Sequence, residues 1–244
     1  MSQTEKRATE ILELIAERPR TLNELASHFN VHRTTVFRHL KTLEQAEFVL
    51  RRPDGTYNIG TRIISIAQLA LDRLDLRRIA YDEIRTLQLH VKNTLHLAQL
   101  IGNRVVYVDK VESNDSVRMS SHIGSPVLTQ CAGVGKVILA QVSPIVRDDI
   151  LRDTVWNAYT ATTHTSRESL DVELEQIRSR GWGVDNGEYE DFVNCIAAPI
   201  TNSTGSIIGA LSISSITAVN DLDALKRHLD ELLQTCKRIS HQLS

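Results

Sequence analysis

Long apolar runs are missing from this chain: no window approaches the roughly 18 consecutive apolar residues that a membrane-spanning helix requires. The stretch from Met1 to Arg20 is too charged to hold the apolar core of a signal peptide, so a cytoplasmic protein is expected. Cysteine is scarce. Cys131, Cys195 and Cys236 are odd in number and far apart, which excludes a disulfide framework or a zinc ribbon and leaves reduced thiols. Charge of one sign is scarce too: a net charge of -2 speaks against a surface that is cationic throughout, while leaving room for a local basic face. His90, His96, His122 and His164 are scattered without two-ligand helical spacing, and the acidic stretch of Glu188, Glu190 and Asp191 lacks the calcium-loop pattern. No metal and no cofactor are expected. The chain has no internal repeat and no low-complexity tract.

What is present is a hydrophobic content of 41% with 24% charged residues over 244 positions, the composition of a globular protein able to bury a core and long enough for two unequal domains. From Lys6 to Ala16 the apolar residues Ala8, Ile11, Leu12 and Ile15 recur at helical steps, and Pro19 stops the run. Thr21 with Glu24 forms a capping-box pattern ahead of Leu22, Leu25, Ala26 and Phe29, a short second helix ending near Asn30. A third helix from about His32 turns Val36, Leu40 and Leu43 inward and leaves basic and hydrogen-bonding residues on other faces. Phe48 to Arg52, the turn Pro53-Asp54-Gly55 and Thr56 to Ile59 read as a hairpin, the wing. After Gly60, helical spacing resumes from Thr61 to Leu76, taken as a connecting helix.

The remainder alternates helix and strand and is α+β. Helices are expected over Ala80 to His90, Gly133 to Gln141, Ser169 to Arg180 and Asp221 to Gln242. Strands are expected over Leu95 to Ile101, Arg104 to Val111, Val117 to Ile123, Trp182 to Val184, Cys195 to Ile200 and Ile207 to Ile213.

Three helices followed by a hairpin form a unit whose third helix fits the DNA major groove. The expected contacts are His32, Arg33, Thr34, Thr35, Arg38 and Lys41 on that helix, with His39 as an additional candidate, and Arg51 and Arg52 on the wing. A single module reads few base pairs, so a homodimer or homotetramer placing two such helices on double-stranded operator DNA is expected. The apolar side of the Thr61 to Leu76 helix is a candidate dimer surface, with packing on its own chain as the alternative.

This order of elements resembles the IclR family of bacterial regulators, named for the isocitrate lyase regulator, over nearly the whole chain. The resemblance is carried by Thr21-Leu-Asn-Glu-Leu-Ala with Thr34-Thr-Val-Phe-Arg-His-Leu40, by Cys131-Ala-Gly-Val-Gly-Lys136, and by Gly181-Trp-Gly-Val-Asp185 with Cys195-Ile-Ala-Ala-Pro199 and Gly209-Ala-Leu-Ser-Ile-Ser214. It implies a winged helix-turn-helix over 1–60, a linker helix over 61–77 and a GAF-like effector-binding domain over 78–244. It implies a transcription regulator, commonly a repressor. The chain departs from the family's usual pattern in having fewer acidic residues directly after Asp185 and in carrying Phe192 where a glycine is usual, departures that bear on pocket shape rather than fold.

Ser212 and Ser214 lie two apart in an expected strand, so their hydroxyls share one sheet face while Leu211 and Ile213 take the other. A buried hydroxyl pair without partners costs on the order of 1 to 3 kcal/mol each, so water, protein acceptors or a ligand must satisfy it. Gly133 and Val134 open a helix whose unpaired N–H groups favour a carboxylate. By resemblance Asp185 and Cys195 complete the site, the first accepting from a ligand hydroxyl, the second donating weakly from the pocket wall. The expected effector is a small organic acid, aliphatic or aromatic. Gly133-Val-Gly-Lys136 is not a phosphate loop, because Gln130 and Val137 stand where that pattern needs glycine and Ser or Thr. The alternatives are a cysteine-dependent enzyme using Cys131 or Cys195 beside His122 or His164, for which no signature is present, and a sensor module without DNA binding, against which the basic third helix argues.

Overall fold

The computed structural model describes residues 3–113 and 119–243, and the chain divides into two compact units, 1–73 and 74–244. The first unit opens with helix α1 (Gln3–Glu17), which ends ahead of Pro19, and the two-residue strand β1 (Arg20–Thr21). Thr21 is then the N-cap of α2 (Leu22–His28): its Oγ1 accepts from the Glu24 N–H at 3.2 Å while Glu24 Oε2 accepts from the Thr21 N–H at 2.7 Å, the reciprocal pair that satisfies two orphan donors. The Glu24 carboxyl is held down to about 2, chiefly by the Thr21 main-chain hydrogen bond. The turn after α2 takes Asn30 through φ 49°, a left-handed conformation that asparagine tolerates. Helix α3 (Arg33–Gln45) follows, then the hairpin of β2 (Val49–Arg51) and β3 (Thr56–Ile59), and helix α4 (Thr61–Asp72). The strands form an antiparallel sheet in the order β1-β3-β2. Ile11, Ile15, Leu25, Val36, Leu40, Val49 and Tyr57 make its core.

The second unit begins with α5 (Asp75–Val91), β4 (Thr94–Ile101) and β5 (Arg104–Val111). Then come α6 (Gly133–Gln141), α7 (Pro144–Leu151), α8 (Arg167–Arg180), β6 (Gly183–Asn186), β7 (Val193–Thr201), β8 (Ile207–Ile216), α9 (Leu222–Lys226) and α10 (Leu229–Gln242). The strands form one antiparallel sheet in the order β5-β4-β8-β7-β6. Alternation divides its faces. Leu95, Leu97, Ile196, Ala198, Leu211 and Ile213 pack with α5, α9 and α10, while Ala98, Ala197 and Ala210 pack with α6, α7 and α8. Helices thus cover both faces of an α+β sheet.

Several expected boundaries are corrected. The linker helix expected over 61–77 ends at Asp72, because Leu74 adopts an extended N-cap conformation and Leu76 is already core of the second unit. The expected strand over Val117 to Ile123 lies partly outside the described residues, and from Met119 to Ile123 the backbone is not strand. It is a strap instead, held by Lys110 Nζ, which donates to the carbonyls of Met119 at 3.0 Å and Ser121 at 2.7 Å. Helix α7 was not expected, although Ser143 caps it and Pro144 occupies its first turn. The single C-terminal helix is two, broken at Arg227 and His228.

Gly209 shows how tightly β8 is packed: a Cβ there would stand 2.4 Å from the Ala98 carbonyl oxygen and 2.6 Å from Leu76 Cδ2. The carbonyl belongs to the neighbouring strand and cannot retreat without breaking the ladder. Gly209→Ala is therefore expected to destabilise the second unit by about 1–3 kcal/mol. Urea unfolding followed by tryptophan fluorescence reports that unit alone, because both tryptophans, Trp156 and Trp182, lie in it; an unchanged midpoint refutes the packing argument.

Candidate functional site

In the first unit, Arg33, Thr34, Arg38 and Lys41 of α3 are exposed, Thr35 is half-buried, and Arg51 and Arg52 are exposed on the hairpin. The hairpin turn is set by Asp54, whose carboxylate accepts from the Thr56 N–H at 2.9 Å and hydroxyl at 2.7 Å, with Gly55 at φ 83°. His32 has a local task that the sequence reading did not assign. It is the N-cap of α3, its Nδ1 accepting from the Thr34 N–H at 3.4 Å and lying 2.9 Å from the Thr34 hydroxyl. His39 is half-buried, and burial with the charges of Arg7 and Arg38 lowers its pKa.

In the second unit, strand register builds the other candidate site. Asp185 of β6 pairs with Cys195 of β7, Cys195 with Ser214 of β8, and Ser214 with Thr94 of β4; in the adjoining row Gly183, Ala197, Ser212 and His96 stand side by side. Residues directly opposite each other share a sheet face, so side chains from four strands converge. Small residues in the second row let α6 approach: a Cβ on Gly183 would lie 2.8 Å from Val137 Cγ2, and one on Gly133 2.6 Å from Cys195 Sγ. The first turn of α6 thus abuts the thiol. A cavity of about 420 Å3 opens there, walled by all six expected residues, Gly133, Val134, Asp185, Cys195, Ser212 and Ser214.

The sequence reading missed His96, Tyr107 and Tyr189, which line the same cavity. His96 is buried between Ser214 Oγ, 3.2 Å from its Nδ1, and Ser121 Oγ, 2.8 Å from its Nε2, and so joins the serine pair to the strap. Its signal was slight: a polar residue between Leu95 and Leu97 in an expected strand. Asp185 and Glu190 are the cavity's acids, and no lysine or arginine lines it among the described residues. Burial raises Asp185 to about 6, opposed by the Glu188 N–H that its Oδ1 accepts at 2.8 Å. Behind the cavity Lys136, fully buried, pairs with Glu188, whose carboxyl is raised by burial. Burial pushes the Cys131 and Cys195 thiols up to about 12, which keeps them protonated and unreactive. Among the described residues no cluster of three or more His, Cys, Asp or Glu side chains can hold a metal, and no helix is long and apolar enough to cross a membrane.

The model of the bacterial transcriptional regulator IclR C-terminal domain matches residues 68–241, and that of the IclR helix-turn-helix domain matches residues 6–53. The chain belongs to the IclR family. It is 31% identical over 228 residues to the HTH-type transcriptional regulator KdgR of Escherichia coli (strain K12), spanning 93% of this chain and 87% of that one. The crystal structure of the Thermotoga maritima IclR superposes with a TM-score of 0.82 at 32% identity, covering 98% of each chain. An IclR homologue from Microbacterium hydrocarbonoxydans, solved with 4-hydroxybenzoate, shares the fold at a TM-score of 0.84 and 21% identity, covering 99% of each. This IclR-family chain is accordingly a DNA-binding transcriptional regulator and not an enzyme, and the cysteine-dependent alternative is without support.

His96 gives the site a pH signature. Burial lowers its pKa from 6.5 to about 3, so below pH 6.5 the unfolded chain takes up a proton that the folded chain refuses, and stability is lost as pH falls. Asp185, raised to about 6, works in the opposite sense, its contribution being lost as pH rises through that value. Comparing wild type with His96→Gln isolates the histidine. The stability difference is expected to shift in the variant's favour by up to about 1.4 kcal/mol per pH unit below the unfolded histidine pKa; a constant difference across that range contradicts the burial of a neutral imidazole.

Proposed function

We propose that this regulator is a repressor whose operator affinity is set by a small organic acid bound in the cavity of the second unit. The observation that carries the reading is the convergence of Asp185, Cys195, Ser212 and Ser214 beneath the first turn of α6. The cavity falls within the range of small-molecule sites, roughly 300 to 1,000 Å3. With no cation on its walls among the described residues, the N–H groups of Gly133 and Val134 and the helix dipole are what can hold a carboxylate. The acid end then lies at α6, away from Glu190, and a ligand hydroxyl faces Asp185, with the serine hydroxyls donating between them. The 4-hydroxybenzoate bound by the Microbacterium homologue is a molecule of this class.

On the DNA side, Arg33, Thr34, Thr35, Arg38 and Lys41 address the major groove, with His32 at the helix start, while Arg51 and Arg52 address phosphate or minor groove. A second copy of the chain supplies the second half-site. Helix α4 suits the dimer contact: none of its residues is buried, and Ile64, Ile66 and Leu69 are exposed, Ile64 by 64%. The cytoplasm is the compartment this work requires.

A mobility-shift titration against the DNA upstream of the protein's own gene, at fixed salt, with and without a panel of small carboxylic acids, tests the reading. One acid is expected to weaken specific binding; no specific binding under any condition overturns it. Ser212→Ala with Ser214→Ala is expected to abolish the acid response with operator affinity intact, and a normal response misplaces the pocket. Arg38→Ala is expected to weaken operator binding by about 1–3 kcal/mol, roughly five- to 150-fold, and to leave acid binding unchanged by calorimetry.

A further inference from the structure

Helix α3 carries one side chain that neither its own core nor its charge explains. Val36 and Leu40 are fully buried, yet Phe37, between them, is 45% exposed. Four residues before it stands Arg33 and four after it Lys41, so the ring sits on the strip that those two cations occupy. No Asp or Glu occurs in α3 before Glu44, which leaves that strip positive and apolar together. The ring also walls a groove of about 190 Å3 between α3 and the hairpin, where Asn23, Arg33, Arg51 and Tyr57 meet it. A single exposed apolar side chain is ordinary on a protein surface, but one framed by arginines and a lysine on a helix that faces DNA meets a partner with its own chemistry.

The major groove presents hydrogen-bonding edges at every base pair and a single kind of apolar group, the thymine 5-methyl. We propose that Phe37 is a specificity-determining residue that packs on a thymine methyl in the operator half-site, with Arg33 and Lys41 holding the flanking bases or phosphates. Asn23, at the same groove, stands where a hydrogen bond to the neighbouring phosphate or base edge completes the contact. The charge of the strip selects a polyanion over an apolar protein surface as its occupant, and the placement makes Phe37 a reader of one A·T pair rather than a general contributor to affinity. The assignment rests on the reading of α3 as the groove helix.

The test uses the full-length protein and duplexes that it selects from a random double-stranded pool at one fixed salt concentration. Each thymine of the selected sequence is replaced in turn by deoxyuridine, which removes only the methyl. Wild type is expected to bind one such duplex about three- to fivefold more weakly, the worth of burying one methyl group. Phe37→Ala should bind both forms equally and keep the salt dependence, and Phe37→Leu should retain part of the discrimination. Because Phe37 lies outside the core, an unchanged thermal midpoint is expected for both variants. A wild type indifferent to every thymine, or a Phe37→Ala variant that discriminates as wild type does, overturns the assignment. Loss of dimerisation in Phe37→Ala, with equal weakening on both duplexes in wild type and variant, gives the ring to a second copy of the chain and overturns it too. Failure of wild type to enrich any sequence overturns the groove-helix reading beneath it.

Discussion

The buried ion pair of Lys136 and Glu188 is the constraint on which the second unit's cavity depends. Lys136 projects from α6 with no exposure to solvent, and an ammonium so placed is tolerable only against a carboxylate. Glu188 supplies it from the loop after β6, and the same residue's N–H donates to Asp185. The loop is tied from outside as well: Thr163 Oγ1 donates to the Glu188 carbonyl at 2.6 Å, and Thr160 and Thr162 donate to that of Gly187 at 2.6 and 2.8 Å. One electrostatic contact therefore ties the helix whose first turn lines the cavity to the loop that carries Tyr189 and Glu190, next to Asp185 at the end of β6. Removing either partner of such a pair leaves an uncompensated buried charge, at a cost of about 3–5 kcal/mol.

The rest of the site follows from where the sheet is thin. Gly183 and Ala197 keep one row of the sheet low enough for α6 to lie across it, and Gly133 lets the helix start against Cys195. On the same face, one step along, the row of Asp185, Cys195 and Ser214 is polar and is reached only by the first turn of α6, so the cavity forms beside it. Glycine at Gly133 is thus a matter of approach first: a Cβ would stand 2.6 Å from Cys195 Sγ and push α6 off β7.

Much of this was legible in the sequence, and the exceptions share a cause. The capping box of Thr21 and Glu24, the hairpin turn at Asp54-Gly55 and the alternation that puts Ser212 and Ser214 on one face are local patterns, written within a few residues. His96 belongs to the site only through register, 118 residues away from Ser214, and nothing near it announces the pairing. Lys136 could be read locally only as a failed phosphate-loop lysine. Its meaning comes from Glu188, 52 residues on. The overlong linker had a different origin: helical spacing runs without interruption from Thr61 past Leu74, and no glycine or proline marks the break before Asp75, which burial of Leu76 imposes. From Met119 to Ile123 the three polar residues Ser120, Ser121 and His122 run in succession, and Lys110 takes the carbonyls of Met119 and Ser121 in place of a neighbouring strand.

For an effector to act on DNA binding it must favour one state of the protein over another, since equal affinity for two states shifts neither. Strand β8 is where the second unit can express such a preference. It carries Ser212 and Ser214 into the cavity and, at Gly209, lies against Leu76, the first core residue after the junction of the two units. On the reading proposed above, a ligand at the serine pair would bear on a strand whose other end lies against the start of α5, three residues from Arg73. A Cβ at Gly209 would stand 2.6 Å from Leu76 Cδ2, so β8 and the start of α5 have no room for a side chain between them. An allosteric coupling is usually of about 1–3 kcal/mol, the order of a few hydrogen bonds, so a ligand of the kind proposed above needs only a few contacts that one state offers and the other does not.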